Sequence, residues 1–362
     1  MIEIPNIPLE EFEVPSDGLQ SALGIKNEYV GSLDFGVIGS GQCGGRIAKS
    51  FFDIGYKKTI AINTAVADLN PLGIPDIQKL RIGSLEGSGK SMEKGAKAAE
   101  ESSQAIFDKM KAVYGTVDKI IICVGFGGGT GAGSCPVLIS IARKYLSFIG
   151  NSDPKQNVVI VAALPTSGEL KSVVVDKNNE AVKKMMFDIA DQKEVGPIIL
   201  IDNSRIEKLY RGIPPAKFWP TVNDTITQLF QIFNYLSKQD SSYTSFDRED
   251  YKTVLTTPGL AALGVTKVEI KDGTELSQAL QNNLKKTLLA DIVDYSTAKE
   301  ASCVVVAGSD LMETMSMDDI NYGFDTIANL IGNANVHRGL YDTSGESIRA
   351  YTLITGMKAR LK

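Results

Sequence analysis

Two glycine-rich stretches of this chain are built for chemistry at the main chain. GSGQCGG (39–45) sets Gly39, Gly41 and Gly44 in a GxGxxG spacing, and GFGGGTGAGS (125–134) carries six glycines in its first nine residues. Both follow apolar runs. Glycine lets a ligand approach the backbone, and successive N–H groups at a helix start form an anion nest. Thr130 and Ser134 add hydroxyl donors to the second loop. The indicated chemistry is phosphate binding by backbone, although the first loop alone also reads as a tight strand-to-helix turn. GSGKS (87–91) is not a P-loop, because it follows IGSLE and lacks the spacing of G-x-x-x-x-G-K-[ST]. A nicotinamide-dinucleotide fold would need an acid at the end of the second strand. That strand, TIAIN, ends in Asn63-Thr64 with Asp68 beyond it. The dehydrogenase reading stays as a rival that leaves the second loop without a task.

Other chemistries are narrowed by counting. The four cysteines (Cys43, Cys123, Cys135, Cys303) form no CxxC pair, which favours a reducing, cytoplasmic compartment without structural zinc. A single histidine, His337, excludes multi-histidine metal centres, and we expect it in a loop of the second domain without a chemical role. The net charge of −5 argues against a broad nucleic-acid surface. No apolar run reaches the 18 or so residues of a membrane span, and the acidic MIEIPNIPLEEFEVP is unlike a signal peptide. Carboxylates, amides and backbone must carry the chemistry.

Alternating elements position these loops. Strands are expected at 33–40, 59–63, 119–126, 157–165 and 197–204, with helices at 44–55, 91–114 and 177–191. The unbroken apolar KIIICVGF suits a central parallel strand covered on both faces. A long helix starts near Trp219–Pro220, with Val222, Ile226, Leu229, Phe233 and Leu236 along one side. A polar loop (245–252) leads into a second domain, with a helix at 274–290, a strand at 301–309, a helix at 318–331 and a strand at 348–357. The fold class is α/β: a parallel-sheet domain of Rossmann-like topology, a long central helix and a smaller α+β C-terminal domain. The expected divisions are an N-terminal arm (1–32), a nucleotide domain (33–217), the central helix and linker (218–244), the C-terminal domain (245–357) and a short basic tail (358–362).

Taken together, these residues resemble the tubulin/FtsZ superfamily of filament-forming GTPases. GGGTGAGS is similar to its signature loop, and GQCGG to the tubulin form of its first phosphate loop. AINTAVADL, GSGKSMEKGAKAAEES, ILIDNSRI, WPTVND and FDREDYKTVLTTPGLAALG resemble five further family segments in family order, over roughly 34–356. The resemblance implies GTP or GDP as ligand, with Mg2+ held mainly by phosphates and water. It implies phosphate contacts from Gly41, Gln42, Cys43, Gly44 and Asn63, and from Gly127, Gly128, Gly129, Thr130, Gly131, Ala132 and Gly133. Ser88, Gly89 and Lys90 would sense the γ-phosphate. Asn203 and Asn223 would read guanine, Trp219 would stack on the base, and Glu169 would meet the ribose. Asp247 and Asp250 would be the catalytic carboxylates. They lie a ~30 Å helix away from the base-binding residues, so they would act on the nucleotide of the next subunit in a head-to-tail filament.

Departures from FtsZ place the chain nearer the phage and plasmid TubZ branch. AALPTSGEL lacks the FtsZ arrangement of an aromatic followed by Glu-Gly, Ser245 stands where FtsZ has Asn, and KARLK replaces the tether-binding peptide. That branch implies DNA partition through a small DNA-binding adaptor of TubR type, with DNA contacted only indirectly and no membrane. Cell-division FtsZ, and a scaffold that polymerises without hydrolysis, remain alternatives.

Overall fold

A computed structural model describes residues 30–84, 86–209, 212–268, 277, 290, 292–332, 334–343 and 348–360. The expected arm lies outside the described residues up to residue 29. So do the helix expected at 274–290, apart from Ser277 and Ala290, and the last two residues of the basic tail.

The strands of the first half are β1 (Phe35–Ser40), β2 (Thr59–Asn63), β3 (Lys79–Arg81), β4 (Lys119–Gly125), β5 (Val158–Leu164) and β6 (Pro197–Asp202). They pair in parallel in the order β6-β5-β4-β1-β2-β3. Every residue of β4 and β5 is buried, because both faces of the sheet are covered. Ile120, Ile122 and Val124 face a core built with Ile106, Met110 and Leu138. Ile121 and Cys123 face the opposite core, with Val222, Ile226, Leu229 and Phe233. The sheet does not break between the two expected domains. β7 (Gly259–Val268) pairs in parallel with β6, then antiparallel with β11 (Ile348–Ala359). β9 (Glu300–Gly308) and β10 (Asn335–Thr343) complete this mixed half, and β8 (Val293–Asp294) pairs with the end of β11. Lys358 and Ala359 therefore belong to the last strand rather than to a tail.

The helices that matter for the site are α1 (Gly41–Asp53), α2 (Met92–Glu101), α3 (Ser103–Val113), α4 (Gly129–Phe148), α5 (Val173–Asp191), α6 (Asn203–Leu209), α7 (Pro215–Leu236) and α8 (Arg248–Thr256). The single helix expected at 91–114 is split at Ser102, whose hydroxyl accepts from Gly83 N at 2.9 Å instead of continuing the helix. The polar stretch 245–252 is mostly helix, since Asp247 and Asp250 form a capping box at the start of α8. At 22 residues, α7 is about 33 Å long. It buries Val222, Ile226, Leu229, Phe230, Phe233 and Leu236 against the sheet.

Several glycines exist for packing. A Cβ on Gly44 would fall on the Cys123 carbonyl of β4, and one on Gly133 would fall on the Met92 carbonyl of α2. Lys119 is buried at the start of β4, where its ammonium donates to Asn157 Oδ1 (2.6 Å) and to the Leu255 carbonyl of α8 (3.1 Å). Burial lowers its pKa to about 7, against the opposing pull of Asp118 and Asp153.

Two tests follow from this packing. Gly133→Ala should lower stability by about 1–3 kcal/mol, whereas Gly128→Ala, which meets no atom within 4 Å, should change it by less than about 1 kcal/mol. Thermal unfolding of both variants checks the contrast, and equal losses would contradict it. The unfolded chain keeps the Lys119 proton up to 10.5, while the folded chain releases it near 7. Across that window the unfolded state binds more protons, so this group makes stability rise with pH. Urea midpoints should accordingly climb more steeply for the wild type than for Lys119→Met. Parallel curves would show that the buried amine does not titrate in the native state.

Candidate functional site

β1 runs directly into a helix and β4 reaches one after a three-residue turn, and both helices begin on glycine. α1 starts at Gly41, which adopts φ +72°, and α4 starts at Gly129. Neither Ser40 nor Gly128 supplies a side-chain cap, and neither helix carries an acid in its first turn. Their free N–H groups and positive dipole ends are thus left for an external anion. The two turns touch, since a Cβ on Gly41 would stand 2.9 Å from Gly131 N. A cavity of about 520 Å³ opens at this junction.

The cavity gathers most of the expected residues. Gly41, Gln42, Cys43, Asn63, Ser88, Gly89, Lys90, Gly127, Gly128, Gly129, Thr130, Gly131, Glu169, Asn203, Trp219 and Asn223 all line it. Gly44, Ala132 and Gly133 do not. Gly44 and Gly133 are absorbed by the helix contacts described above, and Ala132 is fully buried in the core. The loops are tied to one another by hydroxyls. Thr130 Oγ1 bonds Thr64 Oγ1 at 2.8 Å and donates to Ser88 Oγ at 3.2 Å, and Ser40 bonds Ser134 at 2.7 Å. Loop 87–91 presses on Gly129: a Cβ there would come within 2.6 Å of Lys90 C. Lys90 itself is left-handed at φ +64°, and Asn178 Nδ2 holds its carbonyl at 2.8 Å. A non-glycine residue in this conformation needs such support.

The far wall is different in character. Asn203 and Asn223 are 4% and 7% exposed, and among the described residues neither side chain has a hydrogen-bond partner. Two buried amides open only to the cavity call for a ligand with complementary donors and acceptors. Trp219 is half-buried beside them and meets Phe218 edge-on at 5.0 Å rather than filling the core. Glu169 accepts from Thr166 N (2.8 Å) and Thr166 Oγ1 (3.1 Å). Burial, reinforced by the charge of Glu169, pushes the Cys43 thiol up to about 12, so it is wall rather than nucleophile.

Among the lining residues not anticipated as site residues, Arg46, Thr64 and Asp68 carry polar side chains next to the glycine turns. Asp68 accepts from Gln42 Nε2 and Asn63 Nδ2, both at 3.1 Å. Its signal in the sequence is that it is the one acid between Thr59 and Pro75.

Asp247 and Asp250 lie elsewhere, beyond the C-terminal end of α7. Asp247 Oδ1 accepts from Glu249 N (2.8 Å) and Asp250 N (2.9 Å), while its Oδ2 has no partner among the described residues. Asp250 Oδ2 accepts from Asp247 N at 3.2 Å, and Asp250 Oδ1 meets His337 Nδ1 at 2.7 Å. His337 is therefore not an idle loop residue: it sits on β10, and its Nε2 meets Glu300 Oε2 at 2.9 Å. Among the described residues no helix is long and apolar enough to cross a membrane, and no group of three or more His, Cys, Asp or Glu side chains could chelate a metal.

Comparison with known proteins gives this geometry its context. Residues 35–211 match the family model described as Tubulin/FtsZ family, GTPase domain. The chain is 27% identical to cell division protein FtsZ 2 of Methanocaldococcus jannaschii over 348 residues, covering 92% of this chain and 83% of that protein. It is also 27% identical to the tubulin-like protein CetZ of Pyrococcus abyssi, covering 89% and 85%. Among solved structures, the GTPγS-form protofilament of Bacillus thuringiensis serovar israelensis TubZ superposes with a TM-score of 0.78 at 18% identity, covering 95% and 92%. The GTPγS-bound protofilament of Haloferax volcanii CetZ2 superposes with a TM-score of 0.72 at 19% identity, covering 90% and 94%. Two uncapped helix starts, a pair of unpartnered amides and these matches lead to one conclusion: residues 35–211 match the Tubulin/FtsZ family GTPase domain, within a tubulin/FtsZ fold that runs on to the last strand.

Proposed function

We propose that this chain binds GTP in the cavity, assembles head to tail with copies of itself, and hydrolyses GTP where the Asp247 loop of one subunit meets the nucleotide of the next. One observation carries the reading. The nucleotide half of the site takes Trp219 and Asn223 from the first turns of α7, and the paired carboxylates lie past its other end, roughly 20–25 Å of helix away, so a single subunit cannot join them. A contact between unlike ends of the same chain propagates as an open filament. The neighbouring structures of TubZ and CetZ2 are described as protofilaments, which supports the same arrangement.

Within the site, the N-termini of α1 and α4 take the phosphates. Asn203 and Asn223 pair with the guanine edge, Trp219 covers the base, and Glu169 reaches the ribose. Ser88, Gly89 and Lys90 close over the γ-phosphate. The residues present suit Mg2+ held mainly by phosphate oxygens and water, since Asp68 is the carboxylate at the phosphate end and already binds Gln42 and Asn63. Such an ion would neutralise developing phosphate charge. Asp247, with one free oxygen, orients the attacking water across the interface, and Asp250 holds the loop.

Within the family we favour a cytoplasmic TubZ-type role in DNA partition, with a small TubR-type adaptor making the DNA contact. The TM-score of 0.78 to TubZ and the departure of AALPTSGEL from the FtsZ pattern support it. The 27% identity to archaeal FtsZ 2 supports the division-type alternative. A small helix-turn-helix protein encoded beside this chain would favour partition, and a division cluster would favour FtsZ.

Nucleotide selectivity tests the amide pair. GTP should outcompete ATP by ~10² or more, because adenine would leave buried donors and acceptors unpaired. Equal competition by ATP and GTP in a fluorescent-nucleotide displacement assay would remove the guanine assignment. The carboxylate is tested by Asp247→Asn, which keeps a capping oxygen for α8 and loses only the charge. It should bind GTP and assemble like the wild type while phosphate release falls by ~10² or more. Wild-type turnover by this variant would mean that Asp247 is only a helix cap.

A further inference from the structure

His337 stands between two carboxylates that the chain brings from far apart. Its Nδ1 faces Asp250 Oδ1 at 2.7 Å and its Nε2 faces Glu300 Oε2 at 2.9 Å. The three side chains are 18%, 31% and 15% exposed, so water can replace neither bond cheaply. An ionised carboxylate only accepts, and a neutral imidazole has one N–H to give. Both bonds therefore exist together only while the ring carries two protons. With one proton lost, a nitrogen lone pair faces a carboxylate oxygen and one arm must open.

The structure indicates which arm opens. Glu300 lies on β9, between β10 and β11, and its Oε1 also accepts from Asn335 Nδ2 at 3.0 Å. Asp250 lies in the first turn of α8 and is the more exposed of the two. Among the described residues, Asp250 and Glu300 have no salt bridge to any other cation. On α8, Arg248 pairs with Asp118 and Glu249, and Lys252 pairs with Glu249. On β10, Arg338 pairs with Asp325 at 2.7 Å, and the Tyr341 hydroxyl is taken by the Leu236 and Phe246 carbonyls. Asp250 shares the start of α8 with two further acids, the cap Asp247 and Glu249. From Asp250 the connection continues through the capping box, in which each aspartate binds the backbone N–H of the other.

We propose that His337 is a positioning residue: bridging Glu300 and Asp250, it fixes the Asp247 loop in the geometry that hydrolysis at the subunit interface needs, and it releases that loop when the ring loses its second proton. This rests on the assignment of Asp247 and Asp250 to the hydrolytic step. Because the chain has one histidine, 15N-histidine labelling yields a single pair of ring signals, and the protonation of His337 can be followed in the full-length protein. Phosphate release per assembled subunit is then measured across the same pH range, with GTP affinity as control.

The rate should fall by about 10-fold or more as pH rises through the titration of the ring, while GTP affinity stays level. Glu300→Gln should abolish that fall, because its amide N–H can donate to the unprotonated Nε2 while Nδ1–H remains on Asp250. His337→Ala should lower the rate at every pH and remove the pH dependence. If it fails to fold, the comparison of wild type with Glu300→Gln still decides the matter. A rate that stays level while the ring titrates overturns the inference, as does an alkaline fall unchanged in Glu300→Gln. Wild-type turnover by Asp247→Asn would instead sink the underlying assignment, and with it the inference.

Discussion

The contact between the turn after β1 and the turn after β4 governs the nucleotide half of the molecule. Two helix N-termini are brought together there only because Gly41 and Gly131 carry no side chains between them. Behind that contact, Gly44 lets α1 lie on the β4 backbone, and Gly133 lets α4 lie on α2. The result is a patch of unpaired N–H groups with no acid in either first turn. Each dipole end contributes roughly 0.3–1 kcal/mol to an anion nearby, and the free N–H groups add charge-assisted hydrogen bonds. On the proposed function a polyphosphate would complete this structure, and the hydroxyl links Thr64–Thr130–Ser88 connect the patch to the loop that holds Lys90.

The same sheet sets the distance to the other functional end. The cavity sits at the carboxyl ends of β1 and β4, while α8 is docked at their amino ends. Lys119, the first residue of β4, binds the last turn of α8, and Asp118 binds Arg248 in its first turn. Seven residues of β4 separate these ends by about 20 Å, and α7 spans the same gap on one face. On the proposed function this spacer divides the nucleotide from the carboxylates within each subunit, and the interface between subunits is where the two halves would meet.

Legibility in the sequence followed locality. The runs KIIICVG and VVIVAAL were readable as central strands because full burial leaves an unbroken apolar pattern. The glycine loops were readable as phosphate sites, but the split between binding and packing was not: Gly128 and Gly133 look alike in sequence and differ only in what stands next to them. The 245–252 stretch carried a capping signature in Asp247-x-x-Asp250, yet its acids and Arg248 pointed equally to a solvated loop. β10 was missed since NVHRGLYDT mixes charged and apolar residues without clear alternation. The role of His337 was missed for a related reason. Its partners lie 87 and 37 residues away, and only the pairing of β10 with β9 and the docking of α8 bring them together.

The central claim is that each subunit holds half of a hydrolytic site. Its most direct measurement is GTP turnover per subunit over a wide range of protein concentration, recorded together with light scattering. The account predicts turnover near zero at high dilution and a steep rise at the concentration where scattering first appears. Constant turnover per subunit across the whole range, with no threshold, would show that each subunit hydrolyses GTP alone and would contradict the account.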